Sequence, residues 1–112
     1  MYQWQTICDK TDLVENTGIC ALFNDKQVAI FLCGKTDTLF AIDNFDPIGK
    51  ANVLSRGLLG SIGEKTVIAS PLYKQHFCLT SGECIEDESV SVITYPVRQH
   101  EGAVQLGTLN IE

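Results

Sequence analysis

The sequence predicts an all-β fold, and three observations carry the prediction. Short segments rich in β-branched and aromatic residues recur along the chain, and turns containing Gly, Asn and Asp separate them. No window of about 11 to 18 residues holds a helical apolar period with capping residues at both ends. The first strand is expected over Trp4 to Cys8, and Asp12 to Asn16, ahead of Gly18, reads as a compact loop or single helical turn. Gly18 to Phe23 and Gln27 to Cys33 flank Asn24-Asp25-Lys26, a three-residue polar turn, and make the clearest hairpin. The unbroken apolar run Val28-Ala29-Ile30-Phe31-Leu32 places the second of these strands in mid-sheet with both faces covered. A third strand, Thr38 to Ile42, follows the turn Gly34-Lys35-Thr36-Asp37.

From Asp43 to Gly63 the alternation disappears, and this stretch reads as a looped insertion and not as another pair of long strands. Strands resume at Lys65 to Ala69 and Gln75 to Thr80, with a turn at Ser81-Gly82 and a short strand around Cys84-Ile85. Ser89 to Val97 reads as the last long strand, bulged where the pattern changes phase from Val90 and Val92 to Ile93, Tyr95 and Val97. Pro96 marks its far end as an edge. His100-Glu101-Gly102 then turns the chain into Ala103 to Leu106, leaving a polar tail expected to be loosely ordered. The assembled expectation is one domain over residues 1–112. In it two antiparallel sheets, from the first hairpin and the terminal strands, pack together and carry a small loop-rich subdomain over residues 43–84.

Composition narrows the function. With 112 residues, 45% hydrophobic and 20% charged, the chain is that of an ordinary globular domain. Its longest strictly apolar run, Val28 to Cys33, falls far short of the roughly 20 residues that span a bilayer, so no membrane partner is expected. The net charge is −6 and the eight basic residues stand singly, which speaks against nucleic acid. Met1-Tyr2-Gln3-Trp4 leads into Asp9-Lys10-Thr11-Asp12 without the charged and apolar order of a signal peptide, so export is not signalled. Five cysteines, Cys8, Cys20, Cys33, Cys78 and Cys84, include no C-x-x-C pair and no His at metal-finger spacing. Free, mostly buried thiols are the expectation.

Other candidate chemistry is weak. Gly57, Gly60 and Gly63 before Glu64-Lys65-Thr66 lack the spacing of a phosphate loop, and Glu64 would oppose phosphates. His76 has the parity of a surface residue beside Phe77, His100 sits in a turn, and neither has a sequence partner for a hydrolytic triad. Glu86-Asp87-Glu88 lacks EF-hand spacing and reads as a solvated turn. Cys78 and Cys84 would face each other only across a three-residue loop at Ser81-Gly82, and the sequence leaves their pairing open.

Two segments carry a specific resemblance. Asp46-Pro47-Ile48, and Ser70-Pro71-Leu72-Tyr73-Lys74-Gln75-His76-Phe77-Cys78-Leu79-Thr80-Ser81-Gly82-Glu83-Cys84, are similar to the two loops of Rieske proteins. There, C-x-H and C-x-x-H hold a [2Fe–2S] cluster above an F-x-L-x-x-G hairpin. On that pattern the ligand positions fall at Asp46, Ile48, Ser70 and Tyr73, none of them Cys or His. Isoleucine has no donor, and hydroxyl or carboxyl oxygens are hard ligands poorly suited to a sulfide cluster. The resemblance therefore implies a Rieske-like fold with vacant ligand positions and no iron.

With Val53-Leu54-Ser55-Arg56-Gly57, Trp4 and the segment Thr17 to Leu22, the likeness runs nearly end to end and resembles the small subunits of bacterial NADH-dependent nitrite reductases. It implies a cytoplasmic, non-catalytic accessory subunit of the enzyme that reduces nitrite to ammonium. FAD, an iron–sulfur cluster and sirohaem are then expected on the large subunit, and no cofactor or catalytic residue on this chain. It further implies that the tip formed by Asp43 to Arg56 and Ser70 to Gln75 meets the partner, with Arg56, Tyr73, Lys74 and Gln75 in contact. A stand-alone Rieske-like electron carrier and a structural module of another oxidoreductase are the alternatives, separated by an iron-cluster spectrum and by the large chain that co-purifies.

Overall fold

Residues 2–109, the part described by the computed structural model, fold as eleven strands with two single 3₁₀ turns. The strands are β1 (Tyr2–Asp9), β2 (Gly18–Phe23), β3 (Lys26–Cys33), β4 (Thr38–Asp43), β5 (Phe45–Asp46), β6 (Ala51–Asn52), β7 (Leu58–Ile62), β8 (Lys65–Ala69), β9 (His76–Cys78), β10 (Val97–His100) and β11 (Ala103–Leu109). The 3₁₀ turns are Lys10–Asp12 and Leu54–Arg56. All pairings are antiparallel, in the orders β1-β11-β10, β2-β3-β4, β5-β6 and β7-β8-β9. Among the described residues no helix is long and apolar enough to cross a membrane.

The all-β expectation holds, and the reason lies in β3. Val28, Ala29, Ile30 and Phe31 are fully buried because the strand is covered on both faces. Side chains alternate along a strand, so Val28, Ile30 and Leu32 pack with Phe23, Ala41, Val104 and Leu106 under the terminal-strand sheet. Ala29 and Phe31 point the other way, joining Ile42, Leu54, Ile68, Phe77, Leu79 and Val92. One strand thus supplies both cores, and a continuous apolar run is the sequence form such a strand takes.

Four expectations are corrected. The first hairpin turns through two residues, not three: Phe23 pairs with Lys26, and Asn24 and Asp25 both take positive φ, 50° and 65°. That is the primed turn whose twist matches the flanking strands. Within the supposed looped insertion, Leu58–Ile62 is a strand paired with β8. It packs only Leu59 against the core and exposes Leu58, Gly60 and Ile62, so its alternation is too thin to read.

Ser89 to Val97 is not one strand. Its first half bonds to the hairpin beyond β9, through Cys84 N–H to Val90 O (3.0 Å) and Val92 N–H to Gly82 O (2.8 Å). Its second half bonds to β4, through Asp43 N–H to Ile93 O and Tyr95 N–H to Ala41 O, both 2.9 Å. The phase change is the crossing from one core, reached by Val90 and Val92, to the other, reached by Tyr95 and Val97. The bulge lies instead in β1, between Thr6 and Cys8. Finally, β11 continues to Leu109 against β1, and the rest of the expected tail, residues 110–112, lies outside the described residues.

Candidate functional site

The two tip loops are built on buried oxygens. Asp46, at the end of β5, is wholly buried, and one oxygen of its carboxyl accepts the N–H groups of Ile48 (2.8 Å) and Gly49 (3.0 Å). This is the local side-chain-to-backbone bonding that Asp favours in turns. Ser70, just beyond β8 and 1% exposed, accepts the Leu72 N–H at 3.3 Å. Its hydroxyl donates to the other Asp46 oxygen at 2.5 Å, joining the loops. They touch again where Leu72 covers Gly49: a β-carbon there would lie 2.4 Å from Leu72 Cδ1.

This geometry answers whether a [2Fe–2S] cluster fits, and it does not. The two positions where cysteines would stand are Asp46 and Ser70, whose oxygens are already committed to each other and to loop amides. Ile48 offers no donor atom, and Tyr73 is 65% exposed. Among the described residues no group of three or more His, Cys, Asp or Glu side chains converges as a metal site. The structure thus brings Asp46, Ile48 and Ser70 together as a closed polar joint, and leaves Tyr73 on the outside beside exposed Leu72 and Lys74.

The exposed face of the tip is cationic. Arg56, Lys50 and Lys74 are exposed, and among the described residues none of the three makes an ion pair. Between Pro47 and Gly82 the chain carries Lys50, Arg56, Lys65 and Lys74 against a single acid, Glu64, although its net charge is −6. Counting basic residues as singly scattered hides this segregation, which a regional charge count would reveal. Gln75, half-buried, keeps its side-chain oxygen out of solvent with no hydrogen-bond partner among the described residues.

Beside the tip, His76 has a partner that its sequence position did not announce. Glu86 accepts the His76 backbone N–H at 2.8 Å and contacts its ring Nδ1 at 2.6 Å. Burial works against the Glu86 anion, but these bonds from His76 outweigh it and hold the carboxyl below its ordinary range. The acidic run is therefore partly a clasp and not wholly a solvated turn. Burial, followed by the Glu86 charge, pushes the nearby Cys84 thiol up. Burial opposes the Cys78 thiolate too, yet hydrogen bonds from Ser81 and Thr80 bring that thiol below its usual value.

Cys84 sits opposite Phe77, and Cys78 N–H bonds Glu83 O, so the two thiols alternate to different faces and all five cysteines are free. The glycines once weighed as a phosphate loop lie in β7 and its turn, with no helix following. A depression of about 390 Å³ beside that hairpin, lined by Cys33, Lys35, Thr36 and Glu64, shares no residue with the tip loops.

Three comparisons bear on this geometry. The profile of the Rieske-like [2Fe-2S] domain family matches residues 3–107. The nitrite reductase (NADH) small subunit of Escherichia coli K12 is 48% identical over 106 residues, covering 95% of this chain and 98% of that one. The solution structure of the E. coli protein NirD superposes with a TM-score of 0.87 at 47% identity, covering 96% of this chain and 98% of that one. A nitrite reductase [NAD(P)H] large subunit from Klebsiella oxytoca is 40% identical over 104 residues, which are 93% of this chain but 11% of that polypeptide.

Proposed function

Because the chain belongs to the Rieske-like [2Fe-2S] domain family and, within it, to the nitrite reductase (NADH) small subunits, we propose that it is the non-catalytic small subunit of an NADH-dependent nitrite reductase. Its partner is the cofactor-bearing large subunit. The observation that carries this reading is the closed joint at Asp46 and Ser70, where a cluster-bearing relative would need cysteines. A chain that keeps the fold while committing its ligand positions to hydrogen bonds is suited to docking, not to carrying electrons. The K. oxytoca polypeptide supports the partner assignment, since a segment like this chain occurs there within a large subunit.

In this reading nitrite is reduced to ammonium on the large subunit, which holds FAD, an iron–sulfur cluster and sirohaem in the cytoplasm. The subdomain over residues 43–84 is the degenerate counterpart of a cluster-binding subdomain, and its tip is the docking surface. Arg56, Tyr73, Lys74 and Gln75 contact an acidic rim on the partner, and a donor from that rim satisfies the Gln75 side-chain oxygen, which is otherwise costly to leave unpaired. Co-purification from nitrite-grown cells, followed by nitrite reduction with and without this chain, tests the assignment. The large subunit should be the chain recovered, and the joint substitution Arg56→Glu and Lys74→Glu should abolish recovery. Recovery of a different oxidoreductase, or unchanged binding by the doubly reversed variant, overturns the partner or the surface respectively.

A further inference from the structure

Both tip loops follow one pattern. Asp46-Pro47-Ile48-Gly49-Lys50 and Ser70-Pro71-Leu72-Tyr73-Lys74 each start on a buried oxygen, continue through proline and an aliphatic residue, and end on lysine. In each, the lysine N–H closes back on the carbonyl of the first residue, Lys50 to Asp46 at 2.7 Å and Lys74 to Ser70 at 3.1 Å. Each lysine takes a left-handed backbone, φ 60° and 62°. Glycine adopts that conformation freely and a residue with a β-carbon does not. Two lysines held where glycine folds more easily point to a use for the side chains.

We propose that the Asp46–Ser70 hydrogen bond is a positioning crosslink that fixes these two loops so that Lys50 and Lys74 form one cationic face for an acidic patch on the large subunit. The proposal rests on the docking reading above and deepens it. The bond ties the first residues of the two loops across 24 positions of sequence, and neither residue is open to competing water. A short bond from a hydroxyl to a carboxyl oxygen is among the stronger kinds available to a protein. Loops ordered before docking lose less freedom on docking, which is how a crosslink remote from the contact raises affinity. The acidic character of the partner follows from the charge segregation, since Lys50, Arg56 and Lys74 are unpaired among the described residues and the 47–82 stretch holds only Glu64 in opposition.

The test uses the full chain and its large subunit, with affinity titrated at several salt concentrations. Ser70→Ala removes the donor, Ser70→Thr keeps it, and Lys74→Glu alters the face itself. In free Ser70→Ala the amides of Ile48, Gly49 and Leu72 should exchange about tenfold faster or more, as local opening becomes easier. Its affinity should fall about tenfold with a flatter salt dependence, as expected when charged contacts are lost, and Ser70→Thr should recover both. Adding Ser70→Ala to Lys74→Glu should cost nothing further, because the crosslink acts through the lysine. Unchanged amide exchange overturns the crosslink, and additive affinity losses overturn its positioning role. If exchange accelerates while Lys50→Glu and Lys74→Glu leave affinity intact, the crosslink survives as a structural bond and the docking reading fails. Asp46→Asn, which exchanges one acceptor oxygen for a donor at equal volume, should give the same order of effects should Ser70→Ala not fold.

Discussion

Replacing Gly82 with alanine should destabilise the chain more than any other glycine-to-alanine change in the β7–β9 region, and three glycines there separate the causes. Gly82 has φ +83°, and a β-carbon would stand 2.1 Å from the Val92 carbonyl oxygen and 3.3 Å from Thr94 Cγ2. Forcing a β-carbon into left-handed backbone costs about 1–2 kcal/mol. Pushing Val92 away also loosens the 2.8 Å bond from Val92 N–H to Gly82 O, worth about 1 kcal/mol more. The sum is about 2–3 kcal/mol. For a chain of 112 residues the unfolding entropy is about 0.24 kcal/mol per degree, so Tm should fall by about 10 °C. Gly63 has φ +60° with nothing within 4 Å of a β-carbon, so Gly63→Ala isolates backbone strain and should lower Tm by about half as much. Gly60 has neither strain nor neighbours, and Gly60→Ala should stay within about 0.5 kcal/mol of wild type. Calorimetry on the three variants measures the series. A Gly82→Ala variant no less stable than Gly63→Ala would refute the close approach of the crossing segment to the hairpin.

Two further predictions concern single side chains. The Tyr95 hydroxyl donates to Asp43 at 2.5 Å, and burial, then that bond and the Asp43 charge, push the phenol far above its ordinary 10.0. The folded state therefore holds this proton more tightly than the unfolded state, so the stabilisation is intact below about pH 10 and lost as pH rises above it. Tm should decline steeply between about pH 10 and 12 in wild type and less so in Tyr95→Phe, which itself costs about 1–2 kcal/mol at neutral pH; equal slopes would contradict the pairing. Alkylation with iodoacetamide, mapped by mass spectrometry, should label Cys20 first, because it is exposed while Cys33, Cys78 and Cys84 are buried. Mild oxidation should leave Cys78 and Cys84 unlinked, and a Cys78–Cys84 peptide would contradict the register that sets Cys84 against Phe77.

What the sequence revealed and what it hid divide along physical lines. Burial on two faces leaves a plain mark, and the run from Val28 to Leu32 announced the central strand. An edge strand that buries one residue in five leaves almost none, which is why β7 passed for loop. The segment from Ser89 to Val97 showed its phase change, but a bulge and a crossing between two cores give the same pattern, and only its bonds to Gly82 and Ala41 distinguish them. At the tip, the positions Asp46 and Ser70 were legible through resemblance. That they bond to each other was not, because the contact spans 24 residues and no local pattern encodes it. His76 and Glu86 were hidden for the same reason, at a separation of 10.

The outermost sheet has a consequence for how such a domain can be wired into larger chains. Tyr2 pairs with Leu109 across β1 and β11, so the path of the backbone enters and leaves side by side. Neighbouring ends suit insertion and circular permutation. Both connections emerge from a sheet that contributes nothing to the two tip loops. A host polypeptide can therefore carry the module on two adjacent tethers with its recognition loops undisturbed, so that the choice between separate subunit and fused segment is one of gene architecture and not of folding.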